Sequence, residues 1–273
     1  MPEQIRYLAT ALTGIDAMSA VTARAYPRHV HDQYGIGVVD AGGHASASDR
    51  RQVEAGPGQL IFVNPGEVHD GRAIGGRPRA WRMLYLDPQW VDQARSQIAD
   101  GAWRPLTFAA AVFGDERVRR VFESAYTVLT GSAAISGSAA AMARETALLR
   151  LLAASDVNAT TPARAAAGAT APVRRARDRI EAEPAAELSL AQLSAEAGVS
   201  RYQLIRGFAR EFGLTPHAYI VQRRIALARR LIRLGHSAAD AASQAGFCDQ
   251  SHLNRCFVRQ FGVTPHRYAR HLG

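Results

Sequence analysis

Residues 204–219 read LIRGFAREFGLTPHAY, and residues 253–268 read LNRCFVRQFGVTPHRY. Ten of these sixteen paired positions are identical at a constant offset of 49, so a folding unit has been used twice. Leu204, Phe208 and Phe212 fall one helical turn apart, the spacing of a face turned to a core, and Leu253, Phe257 and Phe261 repeat it. A different face carries Tyr202, Arg206 and Arg210, answered by Ser251, Arg255 and Arg259. A helical unit repeated with two surface arginines per copy points to a polymer with repeating negative charge, which is DNA.

Start and stop signals extend the pattern outward. Ser189 with Gln192 forms a capping box that opens LAQLSAEA, and Gly198 ends it; Ser200 with Gln203 opens the next helix, which stops at Gly213. Helix, three-residue turn, helix is the spacing of a helix-turn-helix. Thr215 and Pro216 then open a long helix running toward Gly235, with Ile220, Leu227, Leu231 and Leu234 predicted inward and Arg223, Arg230 and Arg233 outward. At ~1.5 Å per residue it is a strut of ~28 Å. Ser237 opens ADAASQA, Gly246 stops it, and Asp249 caps QSHLNRCFVRQF, which ends at Gly262. Two reading helices in successive major grooves are expected about one DNA turn, ~34 Å, apart.

Charge follows the repeat. Residues 174–273 hold 16 Arg against 8 acidic residues, a net of +8, while residues 1–173 hold 17 Arg against 16 acids, a net of +1. A basic excess confined to one part suggests a nucleic-acid partner for that part alone. No run of ~18 apolar residues and no basic-then-apolar N-terminus occurs, so neither a membrane span nor a secretory leader is expected. Cys248 and Cys256 are the two cysteines, a usage that fits a reducing cytoplasm.

The N-terminal part has a different texture. YGIGVV at 34–39, QLIFV at 59–63 and WRMLYL at 81–86 alternate with DAGG and AGPG, which predicts short strands of an all-β barrel or sandwich. Helices are predicted over residues 115–130 and 139–154. Residues 155–171, SDVNATTPARAAAGATA, hold one large apolar residue, Val157, and are expected to be a linker.

Taken together, GVSRYQLIRGFAREFGLTPHAYI, the long helix and AGFCDQSHLNRCFVRQFGVTPHRYAR resemble the AraC/XylS family of bacterial transcription regulators over residues 174–271. The resemblance implies that Tyr202, Ile205 and Arg206 in the first copy, and Gln250, Ser251, His252, Asn254 and Arg255 in the second, contact bases. Arg201 and Gln203 on the first turn, with Arg210 and Arg259 further along, complete the expected DNA-binding set. Two departures stand out. Ile205 occupies a place where the family commonly has a polar reader, and Ala238, Ala241 and Ala242 replace larger branched residues.

Pro27-Arg-His29-Val-His31 with Tyr34, and Gly58-QLIFVN-Pro65-Gly66-Glu67-Val-His69, resemble the two motifs of cupin barrels. That resemblance implies a small-molecule pocket inside the barrel, lined by His29, His31, Tyr34, Asn64, Glu67, His69, Trp81, Met83 and Tyr85. It also implies that His29, His31, Glu67 and His69 are a candidate set for a divalent metal, although the usual glutamate after the first motif is absent and Gln33 and Tyr34 stand nearby.

The expectation is an α+β multidomain chain: a cupin-like effector-binding barrel over 1–110, a helical candidate dimerisation segment over 111–155, a linker over 156–172, and an all-α double helix-turn-helix domain over 173–273. It describes a cytoplasmic regulator, not an enzyme and needing no cofactor. Its expected partners are double-stranded DNA, an effector, a second copy of itself and RNA polymerase, with no membrane. The competing expectation is a metal-dependent cupin enzyme fused to a DNA-binding module.

Overall fold

The structure, a computed structural model, describes residues 3–48, 51–98, 106–131, 137–159 and 170–271. Contacts group the chain into two units, one built mainly from residues 31–163 together with 1–25, the other mainly from residues 164–270.

The first unit contains the strands β1 (Gln4–Leu8), β2 (Ile15–Thr22), β4 (Tyr34–Ala41), β5 (His44–Ser48), β6 (Arg51–Ala55), β7 (Leu60–Val63), β8 (Val68–Ala73), β9 (Arg79–Leu86) and β10 (Val112–Phe113); β3 (Tyr26–Val30) leads into His31. One antiparallel sheet has the order β1-β2-β9-β4-β7-β10. A second pairs β5 with both β6 and β8. Register decides what each face carries. Ala17 lies opposite Leu84, Leu84 opposite Ile36, and Ile36 opposite Phe62, so one apolar row crosses four strands. The next row, Met18, Met83, Gly37 and Ile61, faces the other way because side chains alternate along each strand.

Three helices cover the first row: α1 (Pro88–Ile98), α2 (Glu116–Thr130) and α3 (Ser138–Ser155). Asp115 caps α2 by accepting from the Val118 N–H, as its position before the apolar stripe requires. Phe122, Leu129, Leu148 and Leu151 join Ile36, Leu60 and Leu84 in a single buried cluster. Arg82, on the same face, spans Asp40 at 2.6 Å and lies over the Phe122 and Tyr126 rings. The second row needs small residues. A Cβ on Gly37 would stand 2.1 Å from Met83 Sδ and 2.5 Å from the Arg82 carbonyl oxygen, so β9 can pass β4 only where glycine sits.

The first residues of the expected linker, 156–172, are built into the first unit. Asp156–Asn158 forms a 3-10 turn, and Asn158, 3% exposed, donates to the Ala110 carbonyl and accepts from its N–H. A side-chain amide that copies a strand partner anchors this segment despite its lack of large apolar residues. Residues 160–169 lie outside the described residues, and α4 (Ala171–Ala182) begins inside the expected linker.

The second unit continues with α5 (Leu190–Ala197), α6 (Arg201–Phe212), α7 (Pro216–Arg233), α8 (Ala238–Gln244), α9 (Gln250–Phe261) and α10 (Pro265–Arg270). Both capping boxes form, and Gly198, Gly213 and Gly262 end their helices in the left-handed conformation. On α7 the buried stripe is Ile220, Ile225, Ala228 and Ile232, which corrects the expected register: Leu227 and Leu231 are half-buried. Leu234 is 68% exposed because the helix ends at Arg233 and Leu234 falls beyond its last turn. Ala241 and Ala242 of α8 are fully buried, so small side chains here mean close packing. Among the described residues no helix is long and apolar enough to cross a membrane.

Candidate nucleic-acid interface and effector pocket

The helices α6 and α9 are each held by the same buried stripe. On α6, Leu204 and Phe208 are fully buried, and Phe208, Phe212 and Tyr219 form an aromatic triangle with ring centroids 5.1 to 5.8 Å apart. The same triangle recurs as Phe257, Phe261 and Tyr268. With the buried face so defined, the opposite face of α6 presents Tyr202 at 66% exposure, with Ile205, Arg206 and Arg210 also exposed. On α9 the outward side chains are Gln250, Ser251, Arg255 and Arg259, with His252 and Asn254 half-buried beside them. The expected DNA-facing residues therefore do share one surface on each helix.

Their chemistry is not equally available. The Gln203 amide oxygen accepts from the Ser200 N–H at 2.9 Å, which commits Gln203 to its own helix end. Asp249 does the corresponding work on α9 by accepting from the His252 N–H at 2.6 Å. The His252 ring stands edge-on to Phe247 at 5.2 Å. Arg201 is exposed at the first position of α6. Among the described residues no carboxylate pairs with Arg206 or Arg255, whereas Arg210 meets Glu211 at 3.0 Å. A helix with an exposed guanidinium half-way along it, paired with no described carboxylate, has the parts to grip a guanine edge.

Inside the first unit, the inward-facing row of β9 assembles the other candidate site. His31 lies 5.1 Å from His69 and 5.2 Å from Tyr85, ring centre to ring centre. The Arg79 guanidinium, fully buried, donates from Nε to His44 Nδ1 at 2.9 Å and covers the Trp81 ring at 4.7 Å. Burial holds both the His69 and His44 imidazoles down at about 4 against an ordinary 6.5. The Arg79 charge adds to the effect at His44, while the Glu67 carbonyl opposes it at His69. Both rings are neutral at pH 7.

Of the candidate metal ligands, the first unit itself brings together His31 and His69, with a nitrogen of each ring within 4.8 Å of the other. His29 stands on β3, in the segment whose contacts group with the second unit, and its Nδ1 points at the Pro27 carbonyl at 2.7 Å. The Nδ1 atom of His69 points at the Glu67 carbonyl at 3.1 Å, which sets the Nδ1–H tautomer and presents Nε2 as the basic nitrogen. Imidazole donors of this kind suit a borderline cation such as zinc or nickel. The expected carboxylate ligand does not join them: Glu67 accepts from Ser48 and from the Asn64 backbone and amide.

Two expected pocket residues serve the scaffold. Tyr34 is turned to the helix-covered face, where its hydroxyl donates to the Leu106 carbonyl at 2.8 Å and its ring meets Phe108 edge-on; it stands in the same alternation as Ile36, so it cannot also line the pocket. Asn64 holds both backbone groups of Phe108, at 2.8 and 3.1 Å. Arg79 and His44 are absent from the set expected from sequence. An arginine at a strand start and a histidine in the small-residue run HASAS carry no local mark of burial.

Residues 12–152 match the AraC-like ligand binding domain family, and residues 193–271 match a helix-turn-helix domain family. The chain belongs to the AraC family of helix-turn-helix transcription regulators. A relative in Bacillus subtilis (strain 168), the HTH-type transcriptional regulator YbfI, is 30% identical over 233 residues, covering 84% of this chain and 81% of the relative. The fold is that of ToxT from Vibrio cholerae. An apo form of ToxT carrying a single substitution matches with a TM-score of 0.59 over 96% of this chain and 99% of its own, at 11% identity. ToxT bound to (E)-4-(8-methylnaphthalen-1-yl)but-3-enoic acid matches with a TM-score of 0.57 over 100% of this chain and 99% of its own, at 12% identity. The AraC family is non-enzymatic, which removes the expected alternative of a metal-dependent cupin enzyme.

Proposed function

We propose that this AraC-family chain is a cytoplasmic, sequence-specific DNA-binding regulator whose barrel binds a small-molecule effector. The observation that carries the DNA half is the repeated pair of exposed arginines, Arg206 with Arg210 and Arg255 with Arg259, on two helices with the same buried stripe and the same C-terminal glycine. Tyr202, Ile205, Gln250, Ser251 and Asn254 differ between the copies, so the two helices read unlike boxes about one DNA turn apart. In-vitro selection from random DNA with the full chain tests this. The expected result is two unlike boxes with no internal palindrome.

The effector half rests on the polar cluster His31, His69, Trp81 and Tyr85, with the buried Arg79–His44 pair packed against Trp81. Structures of ToxT with bound organic acids are consistent with an occupant of this kind. A thermal-shift screen of sugars, organic acids and divalent transition metals on the full chain, repeated with His69→Ala, tests it. A ligand at 100 times its Kd stabilises by ~2.7 kcal/mol, and His69→Ala removes that gain.

The helices α2 and α3 supply a surface for a second copy. A groove of about 550 Å³ includes Val121, Val128, Met142 and Ala143, with Met142 68% exposed. An apolar groove of this kind flanked by Arg120 and Arg150 supports the homodimer expected for residues 111–155. Met142→Glu is expected to shift the chain from dimer to monomer in sedimentation.

A further inference from the structure

The two reading arginines share a position in the repeat but differ in their support. One turn before Arg206 stands Tyr202, and one turn before Arg255 stands Ser251. Arg206 Cζ lies 5.5 Å from the centre of the Tyr202 ring, and its Nη1 donates to the Tyr202 hydroxyl at 3.4 Å. Ser251 has no ring face to offer Arg255. Tyr202 itself is 66% exposed, so its ring contributes little to the core of the helix.

An exposed arginine samples many rotamers, and ordering it on a base costs side-chain entropy. An aromatic ring one turn earlier on the same helix face restricts those rotamers before DNA arrives, because the cation rests against the negative face of the ring. The guanidinium is then held near the N-terminal end of the helix, the part that reaches base edges in a major groove.

We infer that Tyr202 is a positioning residue for Arg206: its ring preorganises the guanidinium for one base pair of the first box, while Arg255 reads the second box without such support. The inference rests on the DNA-binding reading above, and it adds an asymmetry between two residues that the repeat makes look equivalent. A ring contact at an exposed site corresponds to a roughly two- to fivefold effect on base discrimination.

The test uses the full chain and the DNA sequence it selects. Arg206→Ala first defines the base pair at which discrimination collapses. Tyr202→Ser is then expected to lower discrimination at that same base pair roughly two- to fivefold. Tyr202→Phe, which keeps the ring, is expected to retain it, and in the Arg206→Ala background Tyr202→Ser is expected to change nothing further. The inference is overturned if Tyr202→Ser matches the wild type, if it acts at another base pair, or if it acts equally without Arg206. If the wild type selects no sequence at all, the DNA-binding reading fails and this inference with it. A wild type that selects normally isolates the failure to Tyr202.

Discussion

Tyr219 and Tyr268 occupy the same place in the two repeats yet bond to side chains of opposite charge. The Tyr219 hydroxyl donates to Glu181 at 2.5 Å, whereas the Tyr268 hydroxyl accepts from Arg229 Nε at 2.8 Å. In each case the tyrosine closes an aromatic triangle beneath α6 or α9 and ties it to a residue outside the repeat: Glu181 of α4 for the first, Arg229 of α7 for the second. Burial, with Glu181 beside it, raises the Tyr219 hydroxyl pKa, so the phenol stays a donor across the working pH range. Removing either hydroxyl while keeping the ring, as in Tyr219→Phe and Tyr268→Phe, is expected to cost ~1.5 to 3 kcal/mol, the range for a hydrogen bond to a charged group. Urea unfolding of the two variants measures it.

Leu204 and Leu253 are both fully buried at the heart of these helices. Leu204→Ala and Leu253→Ala are each expected to destabilise the second unit by ~2 to 5 kcal/mol through lost burial and a residual cavity. Thermal melting followed by circular dichroism checks this. An unchanged melting curve would mean that the shared stripe is not the core.

Gly246 has φ +76°, and a Cβ there would stand 2.5 Å from the Ala185 carbonyl oxygen. Gly246→Ala is therefore expected to cost ~1 to 3 kcal/mol, since neither the backbone conformation nor the neighbouring carbonyl can yield cheaply. Gly262 ends α9 in the left-handed conformation, so Gly262→Asn, a residue that tolerates this conformation, is expected to be the milder change. Comparing the two melting temperatures separates close packing from backbone strain.

Burial keeps His44 and His69 near a pKa of about 4 in the folded chain against 6.5 when exposed. The lowered folded values mean that the unfolded chain takes up protons first as pH falls. Their contribution is whole above about pH 6.5 and is lost as pH drops toward about 4. Each histidine is expected to add ~1.4 kcal/mol per pH unit to the slope in that window. Stability measured between those limits should be flatter in His44→Gln and in His69→Gln; a slope unchanged in both would place these rings in contact with water.

How much of the fold is legible in sequence depends on whether the deciding contact is local. Caps, helix-ending glycines and the Leu-Phe-Phe stripe act within one or two turns, so the second unit can be drawn nearly to the residue. In the barrel, HASAS, RQVEA and VHDGRA form β5, β6 and β8 with little β-propensity, because their partners, distant in the chain, supply the ladder. Tyr34 lies on the face opposite to the expected one, since alternation gives two faces and does not say which one meets the helices. Leu234 departs for a simpler reason: extending a periodic pattern past the end of its helix turns an apolar residue into solvent.

The most direct test of the central claim is the salt dependence of binding to the selected sequence and to a scrambled duplex, between about 50 and 200 mM salt. For a sequence-specific DNA-binding regulator, log K is expected to fall linearly with log salt for both, with a preference of at least ~10³ for the selected sequence. Arg206→Ala and Arg255→Ala should each erase ~1 to 3 kcal/mol of that preference. A binding constant indifferent to salt, or equal affinity for the two duplexes, would contradict it.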